Sequence, residues 1–421
     1  MIVKPVIDTE WIVCFLGGRY GHHLFLMPLN YKMKKPTISV VIPVYNNEQY
    51  ISTAVDSVLN QSLVENDDIE LIIVDDGSTD RTPQIVDAYK KTDNRVRVIH
   101  QKNQWIYASM NNGIKEADGE YIFVLNSDDK LENGALSLLL NKIEEYDEPD
   151  MICTKITNCL VDTNQRVLSS HDYNPDVNIE EYFSTIDEIR NSLLYLQQSK
   201  LFTTQANLYK TSLLRKHPFR EDVYGADTMI NCQIAMDLRN MLVLPVPVYR
   251  FMIYEDKGNA SINKYYAYQH SMFNELYVMY KELYEKCEVY DKRVQGYLVD
   301  ERLKRLTYEI SALALQSCEL SGEEKIKKVF TEIADVYIRT EARKVGREKE
   351  YESRILNGTL NLIKKCNIEL TGIIEFVKEL LWPLPEFHLD NPKDFDRLKM
   401  IECVNDKLNI DKVGKKYYLN E

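Results

Sequence analysis

Between Thr37 and Asp129 the chain alternates four short apolar runs with single helical patterns, and this alternation restricts the fold more than any other feature. Thr37 to Val44 (TISVVIPV) is a continuous β-branched run, as expected of a strand buried on both faces. Asn46 and Asn47 break it, after which Ile51, Ala54, Val55, Val58 and Leu59 recur at helical spacing. A second buried strand, Ile69 to Val74, runs into Asp75-Asp76-Gly77-Ser78. Asp80 or Ser78 can cap the helix that follows, whose inner stripe is Ile85, Val86 and Tyr89. Val96 to Ile99 reads as a third strand and Ala108 to Ala117 as a helix. Tyr121 to Leu125 is a fourth strand, ending in Asn126-Ser127-Asp128-Asp129. Strands joined by single helices imply a parallel sheet with right-handed crossovers. In such sheets ligands bind beyond the carboxyl ends of the strands. Polar residues collect at that edge: Tyr45 and Asn46, then Asp75 and Asp76, then Asp128 and Asp129.

At 421 residues the chain is long for one core, so more than one domain is expected. Residues 1–35 read as an N-terminal extension, 36–262 as the α/β domain with halves 36–130 and 131–262, and 263–421 as a helical C-terminal domain. In that last part Met272, Leu276, Met279 and Leu283 share one helical stripe, and Val299, Leu303, Leu306, Ile310 and Leu313 another. Ser321 with Glu324 is a capping box ahead of Ile326, Val329, Phe330 and Ile333.

Hydrophobic content of 44% and charged content of 28% belong to a soluble globular protein. A net charge of −13 argues against nucleic acid as a general partner but leaves room for a local basic pocket. The eight cysteines have no metal or redox spacing and read as reduced thiols, which places the protein in the cytoplasm. The seven histidines form no ligand pair. No apolar run reaches the roughly 20 residues needed to cross a bilayer, and Trp11 to Leu16 lacks the basic leader of a signal peptide. The segment Ile368 to Leu384 is amphipathic, which suits core packing or contact with the inner face of the plasma membrane.

An Asp-Asp pair after a strand is usually a turn or a helix cap, but two such pairs on one sheet edge favour a ligand site. Carboxylates there suit a hard cation, Mn2+ or Mg2+, that leaves most of its coordination positions to phosphate and water. Ser39 to Ile51 (SVVIPVYNNEQYI), Leu71 to Thr82 (LIIVDDGSTDRT), Asn111 to Leu125 (NNGIKEADGEYIFVL) and Asn126 to Asp129 together resemble the nucleotide-binding half of the family 2 glycosyltransferases. The resemblance continues weakly to about residue 262. It implies the GT-A (Rossmann-like) fold, an α/β mixed sheet flanked by helices, here followed by an α-helical C-terminal region.

It further implies inverting transfer from a nucleotide-sugar donor, by preference a UDP-sugar, to a glycan, lipid-linked or protein acceptor, as in bacterial surface polysaccharide or glycoconjugate synthesis. Carried over, Pro43 and Tyr45 pack on the base, Asp76 with Asp75 accepts its hydrogen bond, and Asn103 lies close by. Asp128, with Asp129, holds the metal, and Asn126 replaces the first aspartate of the family's Asp-x-Asp. Met110 stands where many relatives have a donor-contacting arginine, and Asn103-Gln104-Trp105-Ile106 replaces a glycine-rich loop. Trp105 is then either a packing residue or a wall of the donor pocket.

The family's catalytic base is an aspartate from a Glu-Asp pair ahead of a helix. In Phe219 to Asn231 (FREDVYGADTMIN) Ala226-Asp227 stands in that place, which makes Asp227 the candidate base and Asp222 the reserve. Arg250 and Lys257, near the family's closing loop, are available cations or solvated surface residues. The helical part reads as an acceptor platform, a homo-oligomer contact or a membrane-surface contact. The alternative function, a non-catalytic nucleotide-sugar-binding partner of a glycosyltransferase complex, would explain the changes at Asn126, Met110 and Ala226 as lost turnover.

Overall fold

The computed structural model describes residues 11–18, 21–28 and 35–368, apart from 63, 66, 67, 163, 165, 224 and 256–263. Lys257 and the stretch from 369 onward therefore lie outside the described residues, as does nearly all of the amphipathic segment. The N-terminal extension contains an antiparallel hairpin of β1 (Trp11–Gly18) and β2 (Gly21–Pro28).

The α/β region then runs β3 (Ile38–Val44), α1 (Ile51–Leu59), β4 (Ile69–Asp75), α2 (Thr82–Thr92), β5 (Val96–His100), α3 (Ile106–Glu116) and β6 (Tyr121–Val124). It continues through β7 (Lys130–Leu131), α4 (Ala135–Glu145), β8 (Met151–Val161), β9 (Val167–Asp172), β10 (Glu181–Phe183), α5 (Ile186–Gln198), β11 (Asn207–Lys210), α6 (Thr211–Lys216), α7 (Ala226–Ile234) and β12 (Met241–Tyr254). The strand order is β10-β12-β8-β11-β6-β3-β4-β5, with β7 added to β12 and β9 to β8. β3 pairs in parallel with β4 and β6, and β4 with β5, so the first half is the parallel block expected from its connections. β11 runs antiparallel to both β6 and β8, which makes the whole sheet mixed.

Every residue of β3 and β4 is buried, because helices cover both faces. Val40 and Ile42 pack with Ala54 and Val58 of α1 on one face, while Val41 and Val74 meet Met110 and Ile114 of α3 on the other. A Cβ at Gly113 would lie 2.4 Å from Val41 Cγ1, so the approach of α3 to the sheet requires glycine there.

The C-terminal helices are α8 (Gln269–Lys286), α9 (Lys292–Ala312), α10 (Gly322–Lys328) with a π-helical turn at Val329–Ile333, α11 (Val336–Lys344) and α12 (Glu348–Cys366). Ser321 and Glu324 form the expected capping box. The predicted stripes face inward: Met272, Leu276, Leu303 and Leu306 join Met229, Cys153 and Met241 in one continuous apolar core. The helical part is thus seated on the second half of the sheet. Among the described residues no helix is long and apolar enough to cross a membrane.

Candidate functional site

Three strand ends are tied together at the carboxyl edge of the parallel block. After β3, Asn46 takes a positive φ of 46°, and its backbone N–H donates to Ser78 Oγ at 2.9 Å while its Oδ1 accepts from Thr79 N at 2.7 Å. Asn47 N donates to Thr82 Oγ1, Glu48 N to Asp80 Oδ2, and Arg81 N returns a bond to Glu48 Oε2. Asp80 also accepts from Thr82 N, the first residue of α2, although the N-cap position falls on Arg81 and carries no side-chain capping bond; burial raises the Asp80 carboxyl, and its hydrogen bonds outweigh this and hold it below the usual range. Asn47 Nδ2 reaches across to Ser127 Oγ at 2.8 Å, joining the loop after β6 to the other two. Side chains on this edge are therefore held by reciprocal loop-to-loop bonds.

Tyr45 stands 50% exposed at the edge, available to a planar ligand. Pro43 is buried within β3 in register with Val74 of β4, two residues ahead of Tyr45 and past the last β6 partner at Val41. Asp75 is also buried: Oδ1 accepts from Ser78 N, and Oδ2 lies 2.8 Å from His100 Nδ1. That bond raises the His100 pKa in spite of its partial burial, and Asp87 adds to the effect.

Asp76, 3% exposed, accepts from Gln101 Nε2 (2.7 Å), Gln104 N (2.8 Å) and Trp105 N (2.9 Å). Its carboxylate is the anchor of the 101–105 loop. Gly77, at φ +76°, allows the fit, because a Cβ there would sit 3.0 Å from Asn103 N. Asn103 itself is exposed on that loop. Trp105 is held at φ 75°, ψ 166°, a region occupied almost entirely by glycine. Its side chain is 64% exposed, with Lys264 Nζ 5.3 Å from the ring centroid, so it is not a packing residue. Met110 is 2% exposed, among the apolar residues between α3 and the sheet.

The two aspartates after β6 part company. Asp128 is exposed, with its backbone carbonyl accepting from Tyr254 Oη. Asp129 is 2% exposed and accepts from Tyr249 Oη (2.6 Å), Met252 N (2.8 Å) and Asn126 Nδ2 (3.0 Å). Three donors from β12 and the loop engage its two oxygens, so Asp129 pins the loop to β12. Burial and the neighbouring charge of Asp128 push its pKa up, and the three hydrogen bonds oppose this. Among the described residues no three His, Cys, Asp or Glu side chains gather as a protein-only metal site would require.

Asp227 lies in the first turn of α7, whose N-cap Gly225 has φ +101°. It is half-buried, and Oδ1 accepts from Tyr107 Oη at 3.1 Å and from Thr228 N at 3.0 Å. Tyr107 belongs to the first turn of α3, directly after the Trp105 loop, and its oxygen accepts from Gly225 N at 2.9 Å. Burial raises the Asp227 pKa, which makes it a stronger base, while these hydrogen bonds pull it back. Asp222 is the opposite case: exposed and held by Arg220 at 2.7 Å, it is more acidic than usual. Arg250, too, is committed, with Nε 2.6 Å from Glu132.

The mixed α/β sheet flanked by helices, followed by a helical C-terminal region, is the GT-A arrangement. Residues 39–218 match the family described as glycosyl transferase family 2. That match covers less than half of the chain; with the glycosyltransferases it is similar to, it makes the chain a glycosyltransferase. It is similar to EpsH of Bacillus subtilis strain 168, provisionally named a glycosyltransferase, with 28% identity over 329 residues, 75% of this chain and 88% of that one. The glycosyltransferase GlyG of Streptococcus pneumoniae serotype 4 is 43% identical over 111 residues, 26% of this chain and 36% of GlyG, so the matched part spans little more than a third of that relative. The crystal structure of S. aureus TarS 1–349 in complex with UDP has a similar fold, with a TM-score of 0.54 and 17% identity, over 78% of this chain and 90% of that one. The same TarS fragment has been solved with UDP-GlcNAc.

Proposed function

We propose that the protein transfers a sugar, with inversion, from a UDP-sugar to a hydroxyl of a glycan, lipid-linked or protein-bound acceptor in bacterial surface polysaccharide or glycoconjugate synthesis. The observation that carries this reading is the Tyr107–Asp227 hydrogen bond, which ties a half-buried carboxylate of raised pKa to the helix that follows the donor-edge loop. In the reaction Asp227 takes the proton of the acceptor hydroxyl. The hydroxyl oxygen then bonds to the anomeric carbon from the side opposite UDP, and the carbon–oxygen bond to the β-phosphate breaks with its electron pair leaving on UDP.

On the donor side Tyr45 lies against the base, while Asp75 and Asp76 set the loop that presents Asn103 and Trp105. Uracil is the favoured base, because UDP complexes exist for a protein of similar fold. One exposed carboxylate, Asp128, beside the half-buried amide of Asn126, fits a hard cation that draws its other ligands from the diphosphate and water. Such an ion, Mn2+ or Mg2+, would neutralise charge developing on the departing UDP. We place the reaction on the cytoplasmic side, in keeping with the six described cysteines as free thiols.

Replacing Asp227 by asparagine tests the reading. Turnover of the accepted UDP-sugar should fall about 10²- to 10⁴-fold, the usual contribution of a general base, while UDP binding stays within a factor of two of the native value. Undiminished turnover would overturn the assignment.

A further inference from the structure

Where the helical part meets the second half of the sheet lies a cavity of about 510 Å³, lined from α5 and its following loop, α7, α8 and α9. That is the size range of small-ligand sites. Aromatic rings form much of its wall, among them Tyr173, Phe202, Phe273 and Tyr297. Four cationic side chains, Lys200, Arg302, Lys304 and Arg305, face one acidic one, Glu301. In a chain of net charge −13 this is a local reversal of sign.

The cations are not equivalent. Arg302 is built into the core: Nε donates to Asn274 Oδ1 at 2.7 Å and Nη1 to Glu309 Oε1 at 2.6 Å. Lys304 is paired with Glu301 at 2.6 Å. Arg305, one turn beyond Arg302, makes no hydrogen bond or ion pair with any described residue; its guanidinium lies 4.7 Å over the Phe273 ring. Burial lowers its pKa, as expected of a cation short of carboxylate partners. Lys200 likewise rests its ammonium 4.5 Å from the Tyr173 ring centroid, with no acidic partner among the described residues. Cations placed over aromatic faces with their donors unspent suit an anion that supplies the missing hydrogen bonds.

The same cavity borders the candidate base. Thr228, next to Asp227, lines it, as does Thr203, whose neighbour Thr204 donates to the Asp227 carbonyl at 3.0 Å. Burial raises the Tyr173 pKa, and it is further acted on by Arg305, which lowers it, and by Asp227, which raises it, so these three groups lie within electrostatic reach of one another.

We infer that this cavity is the acceptor site and that its ligand is an anionic saccharide, a sugar unit next to a phosphate or carboxylate group. The rings of Tyr173 and Tyr297 take the sugar faces, and Arg305 and Lys200 bind the anion. This rests on the transfer reaction proposed above and specifies its acceptor.

The test is calorimetric titration of the full chain, loaded with UDP, using a phosphorylated maltohexaose, an oligogalacturonate and the neutral maltohexaose. At least one anionic probe should bind tenfold or more tightly than maltohexaose, and which of the two does so identifies the anion. Arg305→Gln and Lys200→Gln should each weaken that probe at least threefold. If Arg305→Gln fails to fold, the exposed Lys200→Gln carries the comparison. Equal binding of all three probes, or native-like binding by the folded variants, overturns the inference. UDP titration of the same samples keeps the two readings apart: lost UDP binding in the native chain would count against the donor site, not the cavity.

Discussion

Replacing Asp76 by asparagine tests how the donor edge is held. The carboxylate accepts three hydrogen bonds, from Gln101 Nε2, Gln104 N and Trp105 N, and is almost fully buried. An asparagine offers a single acceptor oxygen. In its better orientation it keeps the two bonds at Oδ1 and turns its NH2 group against the Trp105 N–H. The loss is one charge-assisted bond, with a donor left facing a donor, about 1.5–3 kcal/mol. Trp105 sits in a conformation that costs a non-glycine residue about 1–3 kcal/mol. The two quantities are of the same size, so without the charge the 101–105 loop should relax out of its strained form. Urea unfolding should show a loss of about 2–3 kcal/mol. Hydrogen exchange at Gln104 and Trp105 should rise, and UDP affinity should fall about 10- to 100-fold if most of that energy holds the donor loop. Adding Trp105→Gly to the variant should recover part of the stability, because glycine adopts this φ without steric cost. Stability within about 0.5 kcal/mol of native, a surface-substitution effect, with both amides still protected would refute the reasoning.

Removing the Tyr107 hydroxyl (Tyr107→Phe) takes away a hydrogen bond that lowers the Asp227 pKa, so that pKa rises further. The base works deprotonated, so activity is lost as pH falls through that pKa, and the acid limb of the kcat/KM profile should move to higher pH. Gly113→Ala should destabilise by about 1–3 kcal/mol through overpacking against Val41, read from thermal or urea unfolding. Asp128→Asn should abolish the Mn2+ dependence of UDP binding and lower turnover by about two orders of magnitude or more, since a bridging metal contributes several kcal/mol. Titration of UDP with and without Mn2+ checks it.

Much of the parallel block was readable in advance because its strands are buried on both faces and leave continuous apolar runs, such as TISVVIPV before β3's end at Val44. Helical periodicity likewise announced α9 and the Ser321 capping box. The carboxylates were harder, since sequence reveals which sheet edge collects them but not which way each turns. Asp129 is drawn inward by donors on Tyr249 and Met252, more than 100 residues away, and nothing local marks it as different from Asp128. Tyr107 was missed for the same reason: its bond to Asp227 spans 120 residues and exists only once α3 and α7 meet. Pro43 lies, as the apolar run implied, inside β3, whose pairing with β4 continues past it to Val44. The cavity beside α9 had no signal beyond isolated arginines and tyrosines, because it is made by packing the helical part on the sheet.

The most direct measurement is the anomeric configuration of the product by proton NMR, formed from whichever UDP-α-sugar the protein turns over. Single displacement assisted by Asp227 predicts a β-linked product throughout the time course. A product that retains the α configuration would contradict the account.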